Sequence, residues 1–199
     1  MRYKAVIFDF DGTICNTGEG IMKCAAYALD AFGYPVFEDI SDFSFFIGPP
    51  LLVTFQEKYN ADAQRAEALV KKFRERYTKT GVYESSLYDG IESLLHNLQK
   101  DGFKMAIASS KPQQYIETLL NHFGISKYFD IVCGVTFEAD CEPKSNIISR
   151  CLDGLEVSYK EAIMVGDKHY DIDGAKLNHI DSAGVLWGYG TKFEFIEAG

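Results

Sequence analysis

No stretch of the 199-residue chain approaches the roughly 18 consecutive apolar residues that a membrane-spanning helix requires. Positive charge is also scarce: 20 lysines and arginines stand against 29 aspartates and glutamates, a net charge of -9. Such a field repels nucleic acid and anionic membrane surfaces, so no nucleic-acid or membrane partner is expected. The five cysteines, Cys15, Cys24, Cys133, Cys141 and Cys151, are odd in number and widely spaced. They form no C-x-x-C and meet no histidine pair at zinc spacing, and read as reduced core or surface thiols. Internal repeats, low-complexity tracts and Gly/Ser linkers are lacking too, so connections between parts of the chain are expected to be short. The first residues lead straight into an apolar strand rather than a signal-peptide core, which makes the cytoplasm the expected compartment.

What is present is the balance of an ordinary globular protein, 47% hydrophobic and 25% charged. Lys4 to Phe10 is an apolar, β-rich run ended by an Asp-Gly turn, the pattern of a strand buried on both faces. Similar runs recur at Lys104 to Ser109, Ile131 to Val135, Ala162 to Val165 and Ser182 to Leu186, with helical periodicity between them. This alternation predicts an α/β fold with a Rossmann-like parallel sheet. Residues 18–83 break it: Met22 to Phe32 and Ala61 to Tyr77 are helical and no strand stands out. The expected organisation is therefore a core domain of residues 1–17 and 84–199 carrying an inserted helical subdomain of residues 18–83, joined by two short connections that act as hinges.

An acidic protein that handles an anion must reverse its field locally, with a cation, a lysine or a helix N-terminus. Asp9-Phe10-Asp11-Gly12-Thr13 closes the first strand, and the ends of parallel strands are where ligands bind. Taken alone, it reads equally well as a strand-ending Asx turn. A second acidic ending, Val165-Gly166-Asp167-Lys168-His169-Tyr170-Asp171, closes another strand, although one of its aspartates could simply cap a helix. Together the two endings would bring three or four carboxylates within a few ångström, which requires a hard cation. Oxygen-only ligands point to magnesium. Between them lie Ser109, at the end of Met105-Ala106-Ile107-Ala108-Ser109-Ser110-Lys111, and Lys144 in Glu142-Pro143-Lys144-Ser145. A serine hydroxyl can donate to phosphate and a lysine can neutralise it, whereas singly each reads as a helix cap and a surface lysine.

The four motifs in this order resemble those of haloacid dehalogenase phosphatases, over nearly the whole chain. The likeness is greatest to the phosphoglycolate phosphatase branch, through Ser110-Lys111-Pro112, Asp171-Ile172-Asp173-Gly174-Ala175-Lys176 and Gly184-Val185-Leu186-Trp187-Gly188-Tyr189-Gly190. That branch carries K-P-x-P at the third motif; here Lys144 stands two positions later, similar to the K-x-x-x-I form of nucleotidase-like members.

The resemblance implies a magnesium-dependent phosphatase with a helical cap inserted after the first motif. It implies Asp9 as nucleophile, Asp11 as general acid and base, and Ser109 and Lys144 as phosphate ligands. Magnesium would lie on Asp9, Asp167, the backbone carbonyl of Asp11, and Asp171 directly or through water. In the family this part of the cap shapes the leaving-group pocket, which makes Gly48, in the aromatic segment Asp42 to Leu51, the candidate for specificity. Thr13 reads as a turn residue, and Lys168 and His169 as a solvated pair. The expected substrates are small phosphorylated metabolites, phosphoglycolate and nucleoside monophosphates first, for a monomer or homodimer. Asp11 argues against a dehalogenase or phosphonatase, while a sugar phosphomutase or a non-catalytic phosphate-binding or signalling protein remains as an alternative.

Overall fold

A computed structural model describes residues 2–137 and 142–199; Cys141, one of the expected thiols, lies outside them. Cys15, Cys24, Cys133 and Cys151 are buried, and among the described residues none forms a disulfide. Among the described residues no helix is long and apolar enough to cross a membrane. The chain divides into two compact units, one of residues 1–16 and 87–199 and one of residues 17–86.

The first unit holds β1 (Ala5–Phe8) and the short β2 (Cys15–Asn16); a second short strand, β3 (Ser86–Leu87), stands where the chain returns to it. Then follow β4 (Lys104–Pro112), β5 (Ile131–Val135), β6 (Ala162–Gly166) and β7 (Asp181–Gly184). Five of these form one sheet in the order β5-β4-β1-β6-β7, and every pairing in it is parallel. β1 is central because all four of its residues can be buried on both faces, and it pairs Ile7 with Ala106 on one side and with Met164 on the other. The strand order moves from β1 to β4 and β5 on one side, then returns past β1 to β6 and β7. The reversal opens a crevice at the carboxyl end of β1, where open α/β sheets bind ligands. β4 runs three residues past the expected Ser109, because pairing with β5 continues irregularly from Ala108 to Pro112.

The helices of this unit are numbered after three that precede them in the helical unit: α1 (Gly18–Ala31), α2 (Leu51–Tyr59) and α3 (Ala63–Tyr77). They are α4 (Ile91–Lys100), α5 (Gln113–His122), α6 (Lys144–Leu155), α7 (His169–Leu177) and α8 (Lys192–Ala198). α6 packs Ile147, Ile148, Cys151 and Leu155 onto Ile7, Ala106, Ala108 and Met164 of the sheet. This apolar layer fixes the helix so that its first residue, Lys144, stands at the crevice end.

In the helical unit, the aromatic segment forms a 3₁₀ helix over Ile40–Phe46, capped by the Asp39 carboxylate accepting from the Ser41 amide. Phe43, Phe46 and Phe55 are buried, with the Phe46 and Phe55 rings 4.9 Å apart, so these aromatics are core. Glu84 accepts from both terminal nitrogens of Arg76, at 2.7 and 3.0 Å, and from Lys23 at 3.1 Å, tying α1 and α3 to the end of the unit.

Ile7 is fully buried at the sheet centre, and Ile7→Ala should cost about 2–5 kcal/mol. Urea unfolding followed by circular dichroism measures this; a loss under about 1 kcal/mol would mean that the central layer is far less tightly packed than described.

Candidate active site

Asp9 directly follows β1, and its amide still donates to the Val165 carbonyl of β6 at 2.9 Å, so the sheet holds its backbone. The chain then turns sharply, with the Phe10 carbonyl accepting from the amides of Ile14 and Cys15, both at 3.0 Å. Gly12 makes the turn possible in two ways. Its φ of 82° suits glycine, and a Cβ there would lie 2.1 Å from Asp167 Oδ2. The position therefore has to be glycine for the second acidic motif to approach the first.

Asp167 follows β6 directly, and Asp171 sits in the first turn of α7, where its Oδ2 accepts from the Lys168 amide at 3.0 Å. Oxygens of Asp9, Asp167 and Asp171 lie within 4.8 Å of one another. Both Asp167 and Asp171 are 1% exposed, and Asp167 Oδ1 is buried without a hydrogen-bond partner. Burial, followed by the neighbouring Asp9 charge, pushes the Asp167 carboxyl up to about 7, against the pull of the Tyr189 amide. Burial likewise raises Asp171 to about 6, although Lys144 pulls the other way. Three crowded carboxylates with an orphaned oxygen form a donor set suited to a hard divalent cation.

Lys144 is the positive charge already present. Its Nζ lies 2.8 Å from Asp9 Oδ1 and 2.8 Å from Asp171 Oδ1, with only 8% of the side chain exposed. Burial works against its charge, but the two carboxylates outweigh that and raise its pKa. Asp11 is separate from this cluster: its two carboxylate oxygens each accept from Lys111 Nζ at 3.0 Å. Ser109 is buried at 2% exposure, and its hydroxyl oxygen accepts a long 3.4 Å contact from the Lys111 amide. Thr13 is buried, with Oγ1 lacking a hydrogen-bond partner, while its carbonyl accepts from Trp187 Nε1 at 3.2 Å. Lys168 donates to the Tyr189 carbonyl at 3.2 Å, and His169 faces Glu194 at 3.4 Å, so the expected solvated pair has partners. Gly48 belongs to the helical unit, exposed, at φ 107°.

Two contributors escaped the sequence reading. Lys111 appears in the sequence only within a branch signature, as does the tail Gly184 to Gly190, though a lysine two residues past the serine is a usable signal. The segment Trp187 to Gly190 also braces the site, since the Tyr189 amide donates to Asp167 Oδ2 at 2.8 Å. A Cβ on Gly188 would stand 2.4 Å from both Asp167 Cβ and the Gly12 carbonyl oxygen. No local pattern announces contacts that span more than twenty residues.

Residues 6–185 match the family of haloacid dehalogenase-like hydrolases. The chain belongs to this family. It is 34% identical over 194 residues to a 5'-nucleotidase of Pseudomonas aeruginosa, across 98% of this chain and 87% of that one. A solved structure described as a predicted phosphatase from Clostridium acetobutylicum superposes with a TM-score of 0.94 at 37% identity, covering 100% of this chain and 92% of that chain. The chain is also 34% identical over 195 residues to the tyrosine-protein kinase PtkA of Mycobacterium tuberculosis, spanning 98% of itself and 65% of that protein. Within the haloacid dehalogenase-like hydrolases it is a phosphoric monoester hydrolase.

A carboxyl whose folded pKa is raised favours the protonated protein, so its contribution is complete near pH 3.8 and is lost as pH climbs through about 7. In chelator, the melting temperature should fall over that window, and added divalent cation should restore it at the upper end; a flat profile in chelator would contradict the crowding. Gly188→Ala should weaken cation binding about 10- to 100-fold by displacing Asp167. Titration followed by fluorescence of Trp187, the sole tryptophan, measures it; unchanged affinity would show that the loop is not a brace.

Proposed function

We propose that the protein is a magnesium-dependent phosphatase of small phosphomonoesters, with Asp9 as nucleophile and nucleoside monophosphates and phosphoglycolate as the first candidate substrates. The observation that carries this reading is Asp9 itself. It stands at the carboxyl end of the central strand, paired at 2.8 Å with a buried lysine and adjoining two further buried carboxylates.

A carboxylate attacks phosphorus only where repulsion between anions is suppressed. In the proposed reaction an Asp9 oxygen bonds to phosphorus in line as the ester P–O bond breaks, and Asp11 gives its proton to the leaving oxygen. Water then attacks the aspartyl-phosphate and passes a proton to Asp11. The bond to Asp9 breaks, releasing phosphate and restoring both carboxyl groups. Using one acid for both proton transfers is economical, because the proton lost in the first half returns in the second. Lys144 neutralises phosphoryl oxygens, and the Ser109 hydroxyl donates to another. Asp9, Asp167, Asp171 and the Asp11 carbonyl would hold the magnesium, which supplies charge neutralisation between carboxylate and phosphoryl group. Because the transition state spreads charge over the transferring group, alignment and fixed positive charge supply most of the acceleration.

The substrate order rests on two supports. The position of Lys144, two residues later than in the phosphoglycolate phosphatase form, and the 5'-nucleotidase among the relatives both favour nucleoside monophosphates. The helical unit corresponds to the family's cap, and Gly48 is the candidate residue for substrate specificity.

Phosphate release should be measured on nucleoside monophosphates, phosphoglycolate and sugar phosphates, with magnesium and with chelator. Magnesium-dependent release is expected, and Asp9→Asn should abolish it while leaving the circular dichroism spectrum unchanged. Full activity in a pure Asp9→Asn preparation would remove Asp9 from its role; no release from any ester would turn the reading towards transfer between hydroxyls, as in a phosphomutase.

A further inference from the structure

Asp9 and Asp11 each face a lysine of their own. Lys144, which the four-motif likeness gives as a phosphate ligand, lies against Asp9 and Asp171, but the grip of Lys111 on Asp11 has no place among those motifs. Lys111 Nζ donates to both Asp11 oxygens at 3.0 Å, and its side chain is 4% exposed against 15% for Asp11.

The chain builds this contact deliberately into β4. Pairing with β5 is irregular between Ala108 and Pro112, and such irregularities re-aim side chains near active sites. Beside it, a Cβ on Gly134 would stand 2.7 Å from the Lys111 carbonyl oxygen, so glycine lets the strand carrying Lys111 lie close. Stability does not explain the arrangement, since a buried ion pair contributes little over apolar residues of similar volume.

We propose that Lys111 is the positioning residue of the general acid: by gripping both oxygens it fixes the plane and direction of the Asp11 carboxyl and keeps it apart from Asp9. The proposal rests on Asp9 and Asp11 acting as nucleophile and acid. When Asp11 carries its proton, the carbonyl oxygen still accepts from Nζ while the hydroxyl faces the ester oxygen. A lysine suits this because its ammonium carries three donors on a compact head.

The test compares kcat/KM for two esters, since this ratio covers the steps through formation of the aspartyl-phosphate. The p-nitrophenolate group of p-nitrophenyl phosphate leaves as a stable anion and needs little help from an acid; the alkoxide of glycerol phosphate needs a proton. Lys111→Met should lower kcat/KM for glycerol phosphate at least about tenfold more than for p-nitrophenyl phosphate, within the roughly 10²–10⁴-fold range of general acid catalysis. In an Asp11→Asn background, Lys111→Met should cost little more, because the group it positions is already gone. Equal losses on both esters, or losses that multiply independently with Asp11→Asn, would overturn the proposal. Should Lys111→Met not fold, Lys111→Gln carries the same comparison. Wild-type protein that releases phosphate from neither ester, nor from nucleoside monophosphates, phosphoglycolate or sugar phosphates, would instead overturn the phosphatase reading on which the proposal rests.

Discussion

Like charges forced together at the end of the central strand are the constraint on which the rest of this structure depends. Asp9, Asp167 and Asp171 present oxygens within 4.8 Å of one another, and two of the three residues are almost completely buried. Such a cluster cannot stay ionised without compensation. The protein provides part of it through Lys144, which touches two of the three, and leaves Asp167 Oδ1 without a partner. The raised pKa of Asp167 and Asp171 is the signature of what is still owed: a proton or a cation.

Meeting this constraint dictates features that otherwise look unrelated. The sheet must place β1 between β4 and β6 so that both acidic motifs issue from adjacent strand ends. α6 must start at the crevice, and its apolar packing on Ile7, Ala106 and Met164 puts Lys144 there. Gly12 and Gly188 must lack side chains, because a Cβ on either would run into Asp167. The Tyr189 amide then holds Asp167 by donating to its Oδ2 at 2.8 Å.

The separation of Asp11 from this cluster gives the site its division of labour. Two carboxylates two residues apart at one turn would normally share an environment. Here each lies against a different buried lysine, one at the start of a helix and one near the end of a strand. The proposed mechanism, with one carboxylate as nucleophile and the other as acid and base, draws on these different surroundings.

Local pattern alone determined the α/β class, the five strands of the sheet and the helical interruption, because hydrophobic periodicity reports burial wherever neighbours in sequence share a face. It also singled out Asp9, Ser109, Lys144, Asp167 and Asp171 as candidates at or near the ends of buried runs, in a recognisable order. Only the tertiary structure decided that Asp11 turns to Lys111, that Lys144 bridges Asp9 and Asp171, and that Trp187 to Tyr189 braces the two acidic motifs. Each of these contacts joins residues from 22 to 174 positions apart. Their charges can be read from the chain, but their pairing is set by strand order and by which glycines let backbones approach, and neither leaves a trace in local periodicity.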